Sequence, residues 1–546
     1  MIAKNNSRHG NKLRSAAVKL VTILGSIGIL GFAVFPNDVI SWDEEATSKV
    51  LEVNRDIVTG RKDYQTHLEY YGTLFHTTVE VLDEGRKIVT SPTIDEDDEL
   101  LARIRLKHHL TFVASLITYG AVAGLVTMLA GFEFAWLGSL VLLLIPRFWG
   151  HSFFNSKDIP LAMMFTIGTL LGAYLIRYFH SQKRSPLVGF NKTTAYSILY
   201  GIVVGCAAAT RVDSSVLIVF VPLVDVVLRL QKGNKLKQIL RFGQFYALMI
   251  VTCFVTIFAL YPASWSNPIR WYLSAFNFYY KEDWPHTVLF NGSFIPADSL
   301  PWQYLPTWIG VTVPVAILLL LVIGLIIAIS KYRQFSIGQR ACFLLIGLQL
   351  FALPIFAMLY RATMFDALRQ FLYTLPAIAA LSACAIAWIY QMLRPKMARL
   401  LLAGVLIVLA LPIGIDMVRL HPYQYTYFNR AFGSLPAAVD NFETDYWGLS
   451  MSEAVTWLNK NRDSTTPLVS SEPSLSARLL GDRDLSLILY DEFELKNEPF
   501  YYLALPRWGW EKRFAQCPTT YKVTRQQTPL STIKQCDKTS QQLKNL

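Results

Sequence analysis

Two acidic side chains, Asp43 and Glu44, follow directly on the first long apolar run of this 546-residue chain. Carboxylates at the edge of a bilayer are costly to keep there, so acids in this place often have a function. A carboxylate at the membrane surface can accept the proton of an attacking hydroxyl, as a general base does. Acids that leave a membrane span can also be solvated flanks without a function. The local sequence does not decide between these two interpretations.

Further charged side chains lie near the ends of other apolar runs, namely Asp158, Arg211 with Asp213, and Asp366 with Arg369. Arginine is well suited to hold a phosphate ester, because its planar guanidinium forms paired, charge-assisted hydrogen bonds. Such groups also stabilise the negative charge that develops on a leaving phosphate. Each arginine can equally pair with its local acid or extend toward a phospholipid. If these groups converge, the chemistry they predict is hydroxyl attack on a membrane-bound phosphate ester.

The composition predicts the elements that must position these side chains. The chain is 53% hydrophobic and only 16% charged, which excludes an ordinary soluble protein. About eleven apolar runs approach the roughly 20 residues that a helix needs to cross a bilayer. They cover residues 16–36, 109–130, 132–149, 161–179, 194–210, 213–230, 243–262, 307–329, 341–360, 373–391 and 399–417. We therefore predict an all-α polytopic membrane protein whose first run is a retained signal anchor.

Basic residues predict the orientation of these spans. They concentrate in short loops near residues 183–192, 232–241, 331–340 and 394–399. Short basic loops stay in the cytoplasm, so the N-terminus is predicted to be cytoplasmic and the candidate acids to lie on the outer face of the inner membrane. The net charge of +12 therefore indicates loop topology and not a nucleic-acid partner.

Two regions outside the spans have their own character. The outer loop 37–108 has aromatic and apolar residues at roughly helical spacing, which predicts amphipathic helices along the membrane. We interpret its acidic run, 95–99, as solvated. The more polar tail predicts a division into a transmembrane domain, 1–420, and a small α/β extracytoplasmic domain, 421–546.

Cysteines and metal ligands add little to this interpretation. Cys517 and Cys536 lie in the tail, where a disulfide would require an oxidising compartment, and the sequence leaves their bonding open. No spacing typical of a metal site occurs in the sequence. We predict no cofactor, and a divalent cation joining Asp43 and Asp158 is not predicted.

Six motifs together resemble glycosyltransferase family 39, the protein O-mannosyltransferase-like group, which also includes the lipid A aminoarabinose transferases. Two of the motifs resemble a bacterial branch of this family. The motifs are Asp43-Glu44, Asn155–Pro160, Leu300–Pro306, Asp366–Leu372 before Pro376, His421–Asn429 and Thr444–Ser450. The similarity spans most of residues 30–460. The chain departs from the family at Gln370, where a histidine is common, and it lacks the β-trefoil domain of eukaryotic members.

The resemblance implies a C-type membrane glycosyltransferase, similar to the dolichyl-phosphate-mannose-protein mannosyltransferases. Such an enzyme transfers a sugar from a polyprenyl-phosphate donor to an acceptor hydroxyl on the outer face, with inversion. It implies Asp43 as the general base, Glu44 as its support and Asp158 as the second acid. For the donor phosphate it implies Arg105 first, then Arg369 and Arg211.

The acceptor stays open between a lipid, a glycan and a protein. The alternative function is a membrane lipid or glycan transporter or flippase, which would carry charges at mid-bilayer and internal symmetry. A third is a non-catalytic scaffold whose tail binds partners. The candidate charges lie at the outer ends of the spans, which favours the transferase.

Overall fold

Eight helices in the described part of the chain are long and apolar enough to cross a membrane in the computed structural model. They are Leu13–Ala33, within a longer helix Ile2–Ala33, and then Glu96–Ala130, Asp158–Ser181, Gly243–Leu260, Val315–Gln334, Ile337–Tyr360, Thr374–Met392 and Lys396–Leu420. A helix satisfies its own backbone polar groups, which a segment in hydrocarbon requires. The other three predicted runs contain the shorter helices Ala135–Leu143, Lys192–Ala208 and Leu217–Gln231.

The structure describes the whole chain apart from a few short segments and the C-terminal end. The segments outside the description are residue 1 and residues 62–66, 91–94, 183–186, 190, 234–239, 282–283, 464–465, 467, 489–498 and 537–546. Parts of two predicted basic loops, 183–192 and 232–241, thus lie outside the described residues.

Shorter helices connect the long ones and build the face that carries the candidate acids. They are Glu44–Ser48, Val50–Thr59, Thr73–Thr90, Pro146–His151, Pro268–Lys281, Tyr304–Thr312, Ser434–Ala438, Met451–Asn461 and Leu475–Leu480. In Thr73–Thr90 the buried residues are Thr73, His76, Val79 and Asp83. That spacing of three and four residues marks one face of a helix, as in an amphipathic helix. That the helices of this loop lie along the membrane stays a prediction.

The helix Thr374–Met392 lies at the centre of the helical part, with all residues from Thr374 to Trp388 buried. Many of its side chains are alanine, which lets neighbouring backbones approach closely. A Cβ on Gly324 would lie 2.5 Å from the carbonyl oxygen of Leu381 on this helix. The glycine is therefore required for this contact.

The acidic run 95–99 begins the helix Glu96–Ala130. The Asp95 side chain accepts hydrogen bonds from the backbone N–H groups of Asp97 and Asp98, so it caps the helix. Asp97 also pairs with Arg478 at 2.7 Å, and both side chains are about 40% exposed. The interpretation of this run as merely solvated was therefore incomplete, because it caps a helix and contacts the C-terminal region.

A five-stranded mixed sheet forms the C-terminal region, in the order β4-β3-β5-β7-β6. Its strands are β3 (Leu468–Glu472), β4 (Ser486–Leu487), β5 (Phe500–Ala504), β6 (Thr519–Arg525) and β7 (Thr528–Cys536). A separate hairpin, β1 (Thr287–Phe290) with β2 (Ser293–Pro296), contacts this region through a bridge between Phe290 and Phe442. Cys517 and Cys536 form a disulfide, which answers the question that the sequence left open.

Candidate active site

Asp43 and Lys157 form the ion pair that joins the first outer loop to the second. Asp43 immediately precedes the helix Glu44–Ser48, and its Oδ2 lies 3.0 Å from Nζ of Lys157. The Asp43 side chain is 27% exposed, so it is sheltered but reachable. Burial by itself would raise the pKa of Asp43, but the positive charges of Lys157 and Arg369 lower it below the ordinary value. Asp43 is therefore ionised at neutral pH and able to accept a proton.

Glu44 lies one residue further and has different surroundings. Its carboxylate is buried, forms an ion pair with Lys107 and lies 2.9 Å from Nε2 of His108. Burial raises the pKa of Glu44, but Lys107 and His108 outweigh it and lower the pKa to about 2. Glu44 therefore anchors the first outer loop to the helix Glu96–Ala130, and it does not line the cavity described below.

We expect Glu44→Gln to lower the free energy of unfolding by about 3 kcal/mol, because it leaves Lys107 buried without its carboxylate. The pKa of Glu44 falls on folding from the ordinary 4.5 to about 2. Its stabilising effect is therefore complete above pH 4.5 and is lost as the pH falls toward 2. Thermal unfolding of the wild type and the variant across this range measures the effect, with Glu45→Gln as control, because Glu45 is half-exposed and its ion pairs are at the surface. Equal melting temperatures at neutral pH would contradict it.

Asn155 fixes the second outer loop. Its Oδ1 accepts hydrogen bonds from the backbone N–H groups of Lys157 and Asp158, at 3.2 and 2.9 Å. Its Nδ2 donates to Oδ2 of Asp158 at 2.9 Å. Pro160 follows in the first turn of the helix, where a missing N–H costs nothing. The Asn155–Pro160 motif thus sets the positions of both Lys157 and Asp158.

Arg211 and Arg369 approach Asp158 from two further segments. Their Nη1 atoms lie 3.5 and 3.8 Å from the Asp158 oxygens. Each arginine is held more closely by a local acid, Arg211 by Asp213 at 2.8 Å and Arg369 by Asp366 at 2.9 Å. The separations from Asp158 exceed ordinary hydrogen-bond distances, so both guanidinium groups can still bind another anion.

These groups line one cavity of about 640 Å³, counting the space that is open to solvent. Lys157, Asp158, Arg211 and Arg369 form its charged wall. Half of its other lining residues are phenylalanine or tyrosine, and the rest are a histidine, a glycine and three polar residues: Tyr71, Gly72, Phe75, His76, Ser156, Thr210, Phe278, Tyr279, Phe365 and Gln370. Three cations beside an aromatic wall can hold a phosphate and an apolar chain next to it.

The segment Asp366–Phe371 is backed by the C-terminal region. Asp366 and Ala367 have φ angles of 56° and 64°, a conformation that is rare outside glycine. Asp366 accepts a hydrogen bond from Nη2 of Arg507 at 2.6 Å and one from Nε1 of Trp447 at 3.1 Å. Since Asp366 also holds Arg369, Arg507 stabilises the strained turn and the position of a cavity arginine.

Arg105 lies apart from the cavity. Its Nη2 is 2.6 Å from Oδ1 of Asp38, and both side chains are largely exposed. Lys107, two positions on, is buried and holds Glu44. The donor-phosphate role that the resemblance implied for Arg105 thus has no support in its position, whereas Arg211 and Arg369 both line the cavity.

Sequence reasoning missed two of the residues in and around this site. Lys157 lies inside a recognised motif and was named there without a role. Arg507 lies beyond the part of the chain that resembles the family, so no motif pointed to it. Gln370, the departure from the family pattern, accepts a hydrogen bond from Arg211 through its backbone oxygen, at 2.8 Å. Any residue can supply that contact.

The described residues contain no group of three or more His, Cys, Asp or Glu side chains that could hold a metal ion. That the protein uses no metal ion stays a prediction.

Comparisons with known proteins give similarities over most of the chain. No family model matches it, and no curated protein matches it. The apo crystal structure of ArnT from Cupriavidus metallidurans is 15% identical with a TM-score of 0.46, over 95% of this chain and 98% of that chain. The same protein bound to undecaprenyl phosphate is 16% identical with a TM-score of 0.44, over 94% and 97% of the two chains.

The archaeal oligosaccharyltransferase AglB from Archaeoglobus fulgidus, in complex with an inhibitory peptide and a dolichol-phosphate, is 12% identical. Its TM-score is 0.48, over 91% of this chain and 69% of that chain. Since all three TM-scores are below 0.5, these similarities do not place the chain in a family, and its function has to be inferred from the side chains of the site.

Proposed function

We propose that this chain is a polyprenyl-phosphate-dependent glycosyltransferase that transfers a sugar to an acceptor hydroxyl. The observation that carries the proposal is the convergence of Lys157, Arg211 and Arg369 on one cavity, with Asp158 between the arginines and Asp43 paired to the lysine. These groups come from four separate segments of the chain. Such a set of cations is suited to a phosphate ester, and the adjoining carboxylate is suited to an attacking hydroxyl.

In this mechanism Arg211 and Arg369 bind the donor phosphate and stabilise the charge that develops on it as the sugar leaves. Asp158 keeps both guanidinium groups turned toward the cavity. Asp43 accepts the proton of the acceptor hydroxyl as the new glycosidic bond forms. The hydroxyl attacks the sugar directly, with the help of this carboxylate, and no covalent intermediate between sugar and enzyme forms. Such a single displacement inverts the configuration at the anomeric carbon.

Lys157 links the two halves of this reaction. In the empty site it pairs with Asp43 at 3.0 Å and lowers the pKa of that carboxylate. A bound phosphate would attract Lys157 away from Asp43. The pKa of Asp43 would then rise, which makes it a better base at the moment when the donor is in place.

The finer features of the proposal concern the membrane. We place the three shorter helices, in the runs 132–149, 194–210 and 213–230, across the bilayer with the eight long ones, which gives eleven spans. With a cytoplasmic N-terminus in the inner membrane, the cavity and the region 421–546 then lie outside, as a domain distinct from 1–420. The disulfide in that region supports an oxidising compartment. The donor sugar is proposed to be mannose-like, and the acceptor a lipid, a glycan or a protein.

Binding of undecaprenyl phosphate and dolichyl phosphate to the purified chain, followed by native mass spectrometry, tests the proposal. We expect one prenyl phosphate per chain, and no stable complex with undecaprenol, which has the same tail without the phosphate. Equal binding of the alcohol would contradict a phosphate site. A flippase would also bind the lipid, but it would move it between leaflets without forming a glycosidic bond.

A further inference from the structure

A second cavity lies between the C-terminal region and the β1–β2 hairpin. It measures about 370 Å³, counting open space, and Glu443, Arg507, Trp508 and Phe294 are among its lining residues. Arg507 separates it from the first cavity, because Arg507 pairs with Asp366, which holds the cavity residue Arg369. A chain of two ion pairs therefore connects Arg507 of the second cavity with Arg369 of the first.

Glu443 is the unusual group in this second cavity. Only 6% of its surface is exposed, yet its Oε2 has no hydrogen-bond partner among the described residues. Its Oε1 lies 3.2 Å from Nη2 of Arg507, which is itself engaged by Asp366 at 2.6 Å. Burial raises the pKa of Glu443 to about 7, and Arg507 limits the rise. A buried carboxylate oxygen without a donor is costly, so a ligand that supplies one is favoured there.

The neighbouring charges restrict the chemistry of that ligand. An ammonium group would face Arg507 at close range, so a neutral hydroxyl is the better donor to Oε2 of Glu443. Phe294 is 57% exposed, and Trp508 lines the same cavity. Flat aromatic side chains beside an unsatisfied hydrogen-bond acceptor suit a molecule with an apolar face and hydroxyls at its edge. A sugar ring has both features.

The second cavity also lies close to the proposed base. Trp42 precedes Asp43 in the chain, and its ring lies 5.8 Å from that of Trp508 and 4.9 Å from the guanidinium of Arg507. The Nε1 of Trp42 is buried and has no hydrogen-bond partner in the described structure. A second unsatisfied polar group thus belongs to the residue that precedes Asp43 and contacts Arg507, the partner of Glu443.

Trp508 shows strain at this point. Its φ of 52° is rare for a bulky residue. Its Nε1 donates to the carbonyl oxygen of Thr287 in β1 at 2.8 Å, which ties the C-terminal region to the hairpin. Strained residues held by surrounding contacts occur often at ligand sites.

We propose that the second cavity is an acceptor subsite that binds one sugar residue, with Glu443 accepting a hydrogen bond from a ring hydroxyl and Phe294 and Trp508 contacting the ring. The inference rests on the proposed transferase function, and it assigns the acceptor to the carbohydrate class. The part of the acceptor that reacts then extends past Trp42 to Asp43.

Saturation-transfer-difference NMR on the full chain in nanodiscs tests this subsite with methyl glycosides of glucose, mannose, galactose and glucosamine as probes. We expect saturation transfer to the ring protons of at least one glycoside with the wild type. The signal should fall at least fivefold in Glu443→Ala and in Phe294→Ala, and less in Glu443→Gln, which keeps an acceptor oxygen. Asp440→Ala is the matched control, because Asp440 is an exposed acid three positions away that lines neither cavity.

Two results would overturn the subsite. One is the absence of saturation transfer from every glycoside above that of empty nanodiscs, and the other is a signal that Glu443→Ala leaves unchanged. Undecaprenyl phosphate binding by native mass spectrometry is measured on the same samples. If the wild type binds the lipid but no glycoside, the subsite alone is disproved. If the wild type does not bind the lipid, the proposed transferase function is disproved. A variant that fails to fold loses the binding of both lipid and glycoside. If Glu443→Ala behaves in this way, the glycoside signal of Glu443→Gln decides whether Glu443 belongs to the subsite.

Discussion

Replacing Asp43 by Asn should lower the rate of sugar transfer by about 10²- to 10⁴-fold, the usual contribution of a general base. Asparagine has nearly the same shape but cannot accept the proton of the attacking hydroxyl. Lys157 would lose its carboxylate partner and become free to bind phosphate. Undecaprenyl phosphate should therefore bind to the variant as tightly as to the wild type, or more tightly.

Mass spectrometry of glycans from cells that express each variant measures transfer, and native mass spectrometry measures lipid binding. Asp38→Asn is the matched control, because Asp38 is an exposed acid on the same loop whose partner, Arg105, lies outside the cavity. If the rate of sugar transfer by Asp43→Asn is within threefold of the wild-type rate, Asp43 is not the general base. Equal loss in Asp38→Asn would indicate a structural effect of the loop instead.

Replacing Arg369 or Arg211 by Lys should weaken the binding of undecaprenyl phosphate by about 10- to 100-fold each, since a hydrogen bond to a charged group contributes about 1.5–3 kcal/mol. Lysine keeps the charge, so the ion pairs with Asp366 and Asp213 can persist. It loses the fork of N–H groups that can bind Asp158 and a phosphate at the same time.

Arg105→Gln is the informative comparison for this prediction. The resemblance implied that Arg105 binds the donor phosphate, whereas the structure places it on the surface beside Asp38. We expect no change in lipid affinity for Arg105→Gln. An affinity loss in this variant, with Arg369→Lys unaffected, would reverse the assignment. Titration of each variant in nanodiscs with undecaprenyl phosphate distinguishes the two outcomes, and undecaprenol serves as the phosphate-free reference.

The C-terminal region has a place in this mechanism that the motifs did not indicate. Arg507 contacts Asp366 on one side and the ring of Trp42 on the other. It thereby touches the residue that orients Arg369 and the residue before Asp43. The proposed division into a transmembrane domain and an outer domain therefore describes composition, while the candidate site draws on both parts.

Hydropathy in the sequence already predicted the eight helices that are long and apolar enough to span a membrane, and chain order predicted the end of the helices at which the candidate groups gather. An apolar run of about 20 residues has to cross the membrane as a helix, because its backbone cannot go unsatisfied in hydrocarbon. Once the runs are placed, chain order fixes which loops share a side. Asp43, Asp158, Arg211 and Arg369 could thus be predicted to lie at one end of the helices, and the structure places all four there.

Only the tertiary structure decided which neighbours in sequence face the cavity. Arg105 and Lys107 are two positions apart on one helix, so their side chains point about 160° apart around its axis, and packing alone determines which one is buried. Asp43 and Glu44 are adjacent, yet one meets Lys157 beside the cavity and the other meets Lys107 and His108 in the interior. Only the tertiary structure also shows the contacts of Arg507 with Asp366 and Trp42. Contacts between distant segments depend on how the helices and the sheet pack, and a local sequence pattern does not predict that packing.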